Sequence, residues 1–130
     1  MHERPLSPHW TVYRFGYTMS LSLLHLITGV ALAFGLFALI AWLMGAAGGE
    51  NSYAQTVAVL SLLPLKALLG LGLIALIYHL FNGLRHLAWD AGWGFERRAA
   101  RGSAALVVAA TVIAAAVVLY FAFRMPAGTP

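Results

Sequence analysis

The sequence contains no cysteine. Disulfides, thiolate metal sites and iron–sulfur ligation by this chain are therefore excluded. Charge is nearly as scarce. Eight Lys/Arg and four Asp/Glu make up 9% of the 130 residues, against about 25% in soluble domains. A small soluble domain buries only roughly two thirds of its unfolded surface, and polar side chains must cover much of the rest. A chain that is 62% hydrophobic cannot supply that cover. Disorder is excluded too, because it requires low hydrophobicity. The formal net charge of +4 is too small and too scattered for a nucleic-acid surface. What remains is an integral membrane protein in contact with the lipid bilayer.

Long apolar runs are what the sequence does have. A helix needs about 20 apolar residues to cross the hydrocarbon core. Three segments qualify: Leu21 to Met44, roughly Leu65 to Leu87, and Ala104 to Phe123. The runs are continuous rather than alternating, so helices are favoured over a barrel. The expected architecture is an all-α integral membrane domain of three transmembrane helices, spanning residues 1–130 without an internal repeat. Gly45–Gly49 followed by Glu50–Asn51–Ser52 reads as the first loop, and Trp89–Ser103 as the second. Residues 1–20 hold Pro5, Pro8, Trp10, Tyr13 and Tyr17, which suits a segment at the membrane–water interface. The first apolar run is too long for the core of a cleaved signal peptide.

The placement of the few charges sets the expected orientation. Arg4, Arg14, Arg85, Arg97, Arg98 and Arg101 fall on one side, while Lys66 and Arg124 fall on the other. Basic residues accumulate on the cytoplasmic side. The N-terminus and second loop are therefore expected in the cytoplasm or its equivalent compartment, with a bacterial inner membrane favoured over a mitochondrial one. Arg97, Arg98 and Arg101 read most simply as topology determinants, with anionic lipid or an acidic partner as a further role. No carboxylate lies inside a span, and no inverted repeat occurs, which argues against a small transporter subunit.

This topology brings Ser22, His25 and Thr28 to about the depth of Arg85 and His86, with His79 deeper by about 10 Å at 1.5 Å per residue. Ionisable groups inside a membrane are costly and mark function by default. His79 has two readings: an axial ligand of haem iron, or an interhelical hydrogen bond. Gly72, His79, Gly83, His86 and Asp90 share one helical stripe. Gly83 would leave room for the edge of a flat cofactor, and Arg85 would offer a basic environment to its carboxylates. Ser22 and His25 lie on one face of the first span, with Gly29 four residues beyond. They suit either a headgroup pocket or ordinary helix contacts. Asp90 would pair with Arg85 or His86, accept protons, or cap its helix. His79 and His86 share a helix and cannot bind one iron from opposite sides, and His25 is expected to be too shallow to join them. A second histidine would then come from another chain.

Three motifs carry a resemblance to a known family. Arg4–Pro5–Leu6–Ser7–Pro8–His9 with Val12–Tyr13–Arg14 resembles the N-terminal signature of the cytochrome b556 subunits of succinate dehydrogenase. Ser22-x-x-His25 with Thr28–Gly29 is similar to their first-helix motif, and His79-x-x-x-Gly83-x-Arg85–His86–Leu87-x-x-Asp90-x-Gly92 to their second. The resemblance implies half of a heterodimeric, haem-binding anchor bundle. A second small membrane subunit would supply the other axial histidine. A flavoprotein would oxidise succinate, and an iron–sulfur subunit would pass electrons to ubiquinone or menaquinone. It further implies haem b ligated by His79, with His25, Arg85 and His86 around the propionates and Ser22 at the quinone. The family usually has an arginine where this chain has Leu26, so one guanidinium donor is missing from the quinone pocket. A fumarate reductase anchor working from quinol, and a haem-free structural anchor, are the alternative assignments.

Overall fold

The computed structural model describes residues 16–124. The motif of Arg4 to His9 and the segment Val12 to Arg14 lie outside the described residues. Four helices follow one another: α1 (Tyr17–Ala47), α2 (Glu50–Leu60), α3 (Leu63–Asp90) and α4 (Arg97–Arg124). Among the described residues there is no strand. Helices α1, α3 and α4 are long and apolar enough to cross a membrane. In lipid a spanning segment must satisfy its own backbone, which these continuous Leu-, Ala- and Val-rich runs do by forming helix.

The helices are longer than the apolar runs that announced them. Helix α1 begins four residues before Leu21, α3 ends three residues after Leu87, and α4 begins seven residues before Ala104. Hydropathy marks where the chain meets hydrocarbon, whereas backbone hydrogen bonding sets where the helix ends. Arg97–Arg101 contains Arg and Ala, both good helix formers, so the helix extends past the apolar run. The connection between α3 and α4 is therefore only residues 91–96, not Trp89–Ser103. It turns on Gly92 (φ 86°) and Gly94 (φ 83°), a region that disfavours side chains. Trp89 Nε1 donates to the Gly94 carbonyl at 3.3 Å and closes the turn.

The expected first loop is also corrected. Gly45 to Ala47 complete α1, and Glu50–Asn51–Ser52 open α2. The break between them is Gly48–Gly49, with Gly49 at φ 88°. Eleven residues are too few to span a bilayer. Helix α2 instead folds back on α1, where Gly45 has no side chain and Thr56 occupies the space a Cβ would need. Pro64 sits in the first turn of α3, where its missing N–H costs nothing.

Helix α3 is central, with α1 on one side and α4 on the other. Leu21, Tyr78, Ala104 and Val107 form the core, with Phe81 packed against them. The Tyr78 hydroxyl donates to the Leu21 carbonyl at 2.5 Å and ties α3 to α1. Among the described residues, most other large apolar side chains are exposed and the rest half-buried. Such a surface needs lipid or companion helices around it.

A histidine seam between α1 and α3

The seam is built from the same short pattern on two helices. His25 is followed by Gly29 on α1, and His79 by Gly83 on α3, each pair four residues apart and hence one turn apart. The two helices run in opposite directions, so each imidazole meets the other helix's glycine. A Cβ on Gly29 would lie 3.0 Å from His79 Cε1, and one on Gly83 would lie 3.6 Å from His25 Cε1. The two rings stack with centroids 3.8 Å apart and planes 8° from parallel. His86 follows along the seam, 5.1 Å from the His25 ring.

This contact corrects the expected depths. His25 is not too shallow to reach His79 but lies against it, and Thr28 is level with His79 rather than with His86. Depth counted from an apolar boundary ignores helix stagger, which packing fixes. At 3.8 Å the stacked rings touch, so no macrocycle fits between them.

The hydrogen bonds of His79 define its chemistry. Its Nδ1 lies 3.2 Å from the His25 carbonyl oxygen and 3.2 Å from Thr28 Oγ1. A carbonyl oxygen can only accept, so Nδ1 carries the proton. Nε2 of the neutral ring then holds the lone pair. It makes no hydrogen bond among the described residues. Metal-ligating histidines typically donate their other N–H to a carbonyl in this way. Among the described residues, no group of three or more His, Cys, Asp or Glu could hold a bare metal ion. A single free imidazole nitrogen instead suits a metal already held in a macrocycle. Farther along the same two helices lies an open apolar groove, lined by Ala31, Leu39, Leu60, Leu65, Gly72 and Leu76 among others and by none of the seam histidines. His25 Nδ1 is buried without a partner, which leaves a polar atom for a ligand. These residues fit a haem.

Arg85 lies elsewhere than expected. It is buried against α4, not on the histidine seam. Its Nε donates to Ser103 Oγ at 3.1 Å, Nη1 to Asn82 Oδ1 at 3.3 Å and Nη2 to the Ala100 carbonyl at 3.2 Å. Six residues from His79, it is turned roughly 120° round the helix, because residues advance about 100° each. Its guanidinium also sits 4.0 Å from the centre of the Trp89 ring, whose edge meets His86 at 5.1 Å. Asp90 is exposed and makes no ion pair with Arg85 or His86. Ser22 is half-buried, and its hydroxyl donates to the Thr18 carbonyl at 3.3 Å. Leu26 is 67% exposed and points away from the rest of the chain.

Sequence reasoning missed Asn82 and the role of Tyr78. Asn82 is fully buried with Nδ2 unpartnered, and its oxygen helps seat Arg85. An amide inside an apolar span was the available signal, since polar groups there are costly. Tyr78 gave no signal beyond its neighbour His79.

The seam and the three spans can now be set beside known proteins. Residues 1–118 match the family model described as succinate dehydrogenase/fumarate reductase transmembrane subunit. The chain belongs to this family. The succinate dehydrogenase cytochrome b556 subunit of Paracoccus denitrificans is 40% identical over 108 residues, covering 82% of each chain. That of Rickettsia typhi is 40% identical over 107 residues, covering 82% of this chain and 83% of its own. The human mitochondrial cytochrome b560 subunit is 42% identical over 100 residues, or 72% of this chain and 57% of the human one. As a member of the family, the chain is an all-α, multi-pass membrane protein. Over most of its length it is similar to cytochrome b subunits of succinate dehydrogenase.

Proposed function

We propose that this chain is a haem b-binding anchor subunit of succinate dehydrogenase, carrying electrons from succinate towards a membrane quinone. The observation that carries the reading is the hydrogen bonding of His79. Its Nδ1–H is held by α1, which leaves Nε2 to serve as an axial ligand. Bound haem b would supply a one-electron centre within the membrane. The second axial histidine would come from a companion anchor subunit, since His25 is stacked on His79 rather than placed opposite it. His25 and His86 would face the propionates, with the unpartnered His25 Nδ1 as a donor. Arg85 would act through the α3–α4 contact and Trp89 rather than as a propionate ligand.

Quinone reduction takes two electrons and two protons. Ser22 would give up its weak bond to Thr18 and donate to a quinone oxygen, and hydrogen bonds that strengthen as charge develops there favour reduction. The exposed face at Leu26, one turn along from Ser22, would be covered by the quinone or the companion subunit. The flavoprotein and iron–sulfur subunits would dock at the end of the bundle that gathers Arg85, Arg97, Arg98 and Arg101, on the cytoplasmic side of a bacterial inner membrane. The succinate-to-quinone direction is supported by the relatives quoted above, each named as a succinate dehydrogenase subunit.

Purification in mild detergent tests this reading. A flavoprotein, an iron–sulfur protein and a dithionite-reduced haem b spectrum are expected to accompany the chain. The absence of all three defeats it. His79→Ala is expected to abolish the haem spectrum, and haem content unchanged by that substitution removes His79 as the ligand.

A further inference from the structure

We infer that Thr28 is a positioning residue that fixes the tautomer and orientation of His79, and through them the affinity and potential of the haem. The inference rests on the haem reading above for its consequences but not for its geometry. Thr28 is buried on α1, one turn from His25. Its Oγ1 lies 2.9 Å from the Leu24 carbonyl and 2.9 Å from the His25 carbonyl. A hydroxyl has one hydrogen, and on these distances it is spent on the helix's own backbone. The oxygen is thereby left as an acceptor, 3.2 Å from His79 Nδ1. The His25 carbonyl is a second acceptor for the same N–H.

Two acceptors therefore converge on Nδ1, and none lies at Nε2. A neutral imidazole in that setting keeps its proton on Nδ1, because the other tautomer would place a lone pair against the His25 carbonyl oxygen and would lose the Thr28 oxygen as acceptor. The ring is also fixed in space. Gly29 closes on Cε1 and the His25 ring covers one face. All four restraints come from a single turn of α1, residues 25–29. Thr28 is the one among them whose side chain can be changed without altering the backbone or the stack. Its β-branched side chain is stiff, and the back-bond fixes its rotamer.

The rival account is that Thr28 merely bonds to its own helix, as hydroxyl residues in membrane helices often do. Valine separates the two. Thr28→Val keeps the branched shape and removes the acceptor, whereas Thr28→Ser keeps the acceptor. In the purified complex, Thr28→Val is expected to weaken haem retention about tenfold or more, as for other residues that orient a metal ligand. The haem midpoint potential is expected to rise, because an imidazole with a weaker Nδ1 hydrogen bond donates less electron density to the oxidised iron. Thr28→Ser is expected to restore both. In the full chain without haem, 15N spectra of labelled histidine should show His79 protonated at Nδ1 in the wild type, and a larger Nε2-protonated share in Thr28→Val, where the His25 carbonyl is the one acceptor left. Wild-type haem retention and potential in a folded Thr28→Val complex overturn the inference. If that variant does not assemble, the wild-type spectrum decides: a proton on Nε2 overturns it and one on Nδ1 supports it. A wild-type complex with no haem defeats the haem reading alone, and the tautomer still tests Thr28.

Discussion

Gly29→Ala tests how tightly α1 frames His79. The added Cβ would lie 3.0 Å from His79 Cε1, whereas carbon atoms in favourable contact lie about 3.5–4.0 Å apart. The ring must therefore retreat by roughly 0.5 Å or more. It has little freedom to do so. The His25 ring lies against one face at 3.8 Å, and Nδ1 is held by two contacts of 3.2 Å. A retreat away from α1 stretches those contacts to about 3.7 Å, past the range of a useful hydrogen bond. Overpacking of this kind costs about 1–3 kcal/mol, and replacing a helical glycine by alanine returns about 0.5–1 kcal/mol. The expected net loss is about 0–2.5 kcal/mol, with a fall in haem per complex larger than the fall in stability implies. Gly83→Ala is the internal comparison. Its Cβ meets His25 at 3.6 Å, an ordinary contact, so helix preference should dominate and stability should be unchanged or slightly raised. Any haem lost there reports room needed by the macrocycle rather than a displaced ligand. Melting curves and haem-to-protein ratios of the two purified complexes provide the measurement. If Gly29→Ala melts no lower than Gly83→Ala and keeps its haem, the framing of His79 by Gly29 is refuted.

Arg85→Ala should lower the melting temperature of the complex by the equivalent of about 3 kcal/mol or more, since it strips a buried charge-assisted network from Asn82, Ala100 and Ser103. The KM for quinone should change little, and a large KM effect with unchanged stability would return Arg85 to the binding site. Tyr78→Phe removes the interhelical bond to the Leu21 carbonyl and should cost about 0.6–1.7 kcal/mol, the range found for such bonds in membranes, read from unfolding in mixed detergent. Leu26→Arg supplies the guanidinium that the family resemblance implies at this position, and should lower the KM for quinone in steady-state assays. An unchanged KM would mean that this face does not meet the headgroup.

The membrane class and the three spans were legible because they depend on sums. Twelve charges in 130 residues and three long apolar runs allow few other outcomes. Helix ends were less legible. Arg97 to Gly102 is polar yet helical, and Glu50 to Leu60 is too mixed in character to read as a span and too short to be one. Arg85 was read by its charge and placed with the histidines. Its direction follows from Ser103 and Ala100, which face it because α4 starts at Arg97, ahead of its apolar run.

The depth of His25 shows what a one-helix reading leaves out. Each helix carries a histidine with a glycine four residues on, and each pair read alone says nothing of the other. Two such pairs on antiparallel neighbours are complementary: reversing one helix sets every imidazole over the other's glycine. Sliding one helix by a turn would set His25 level with His79 in one direction, giving overlap, or Gly29 level with Gly83 in the other, giving a void. The close contacts at Gly29 and Gly83 therefore help set the stagger of α1 and α3. That stagger brings the His25 carbonyl and Thr28 to His79 Nδ1. The glycines matter here for where they let the second helix sit, and the free nitrogen of His79 is a consequence of that placement.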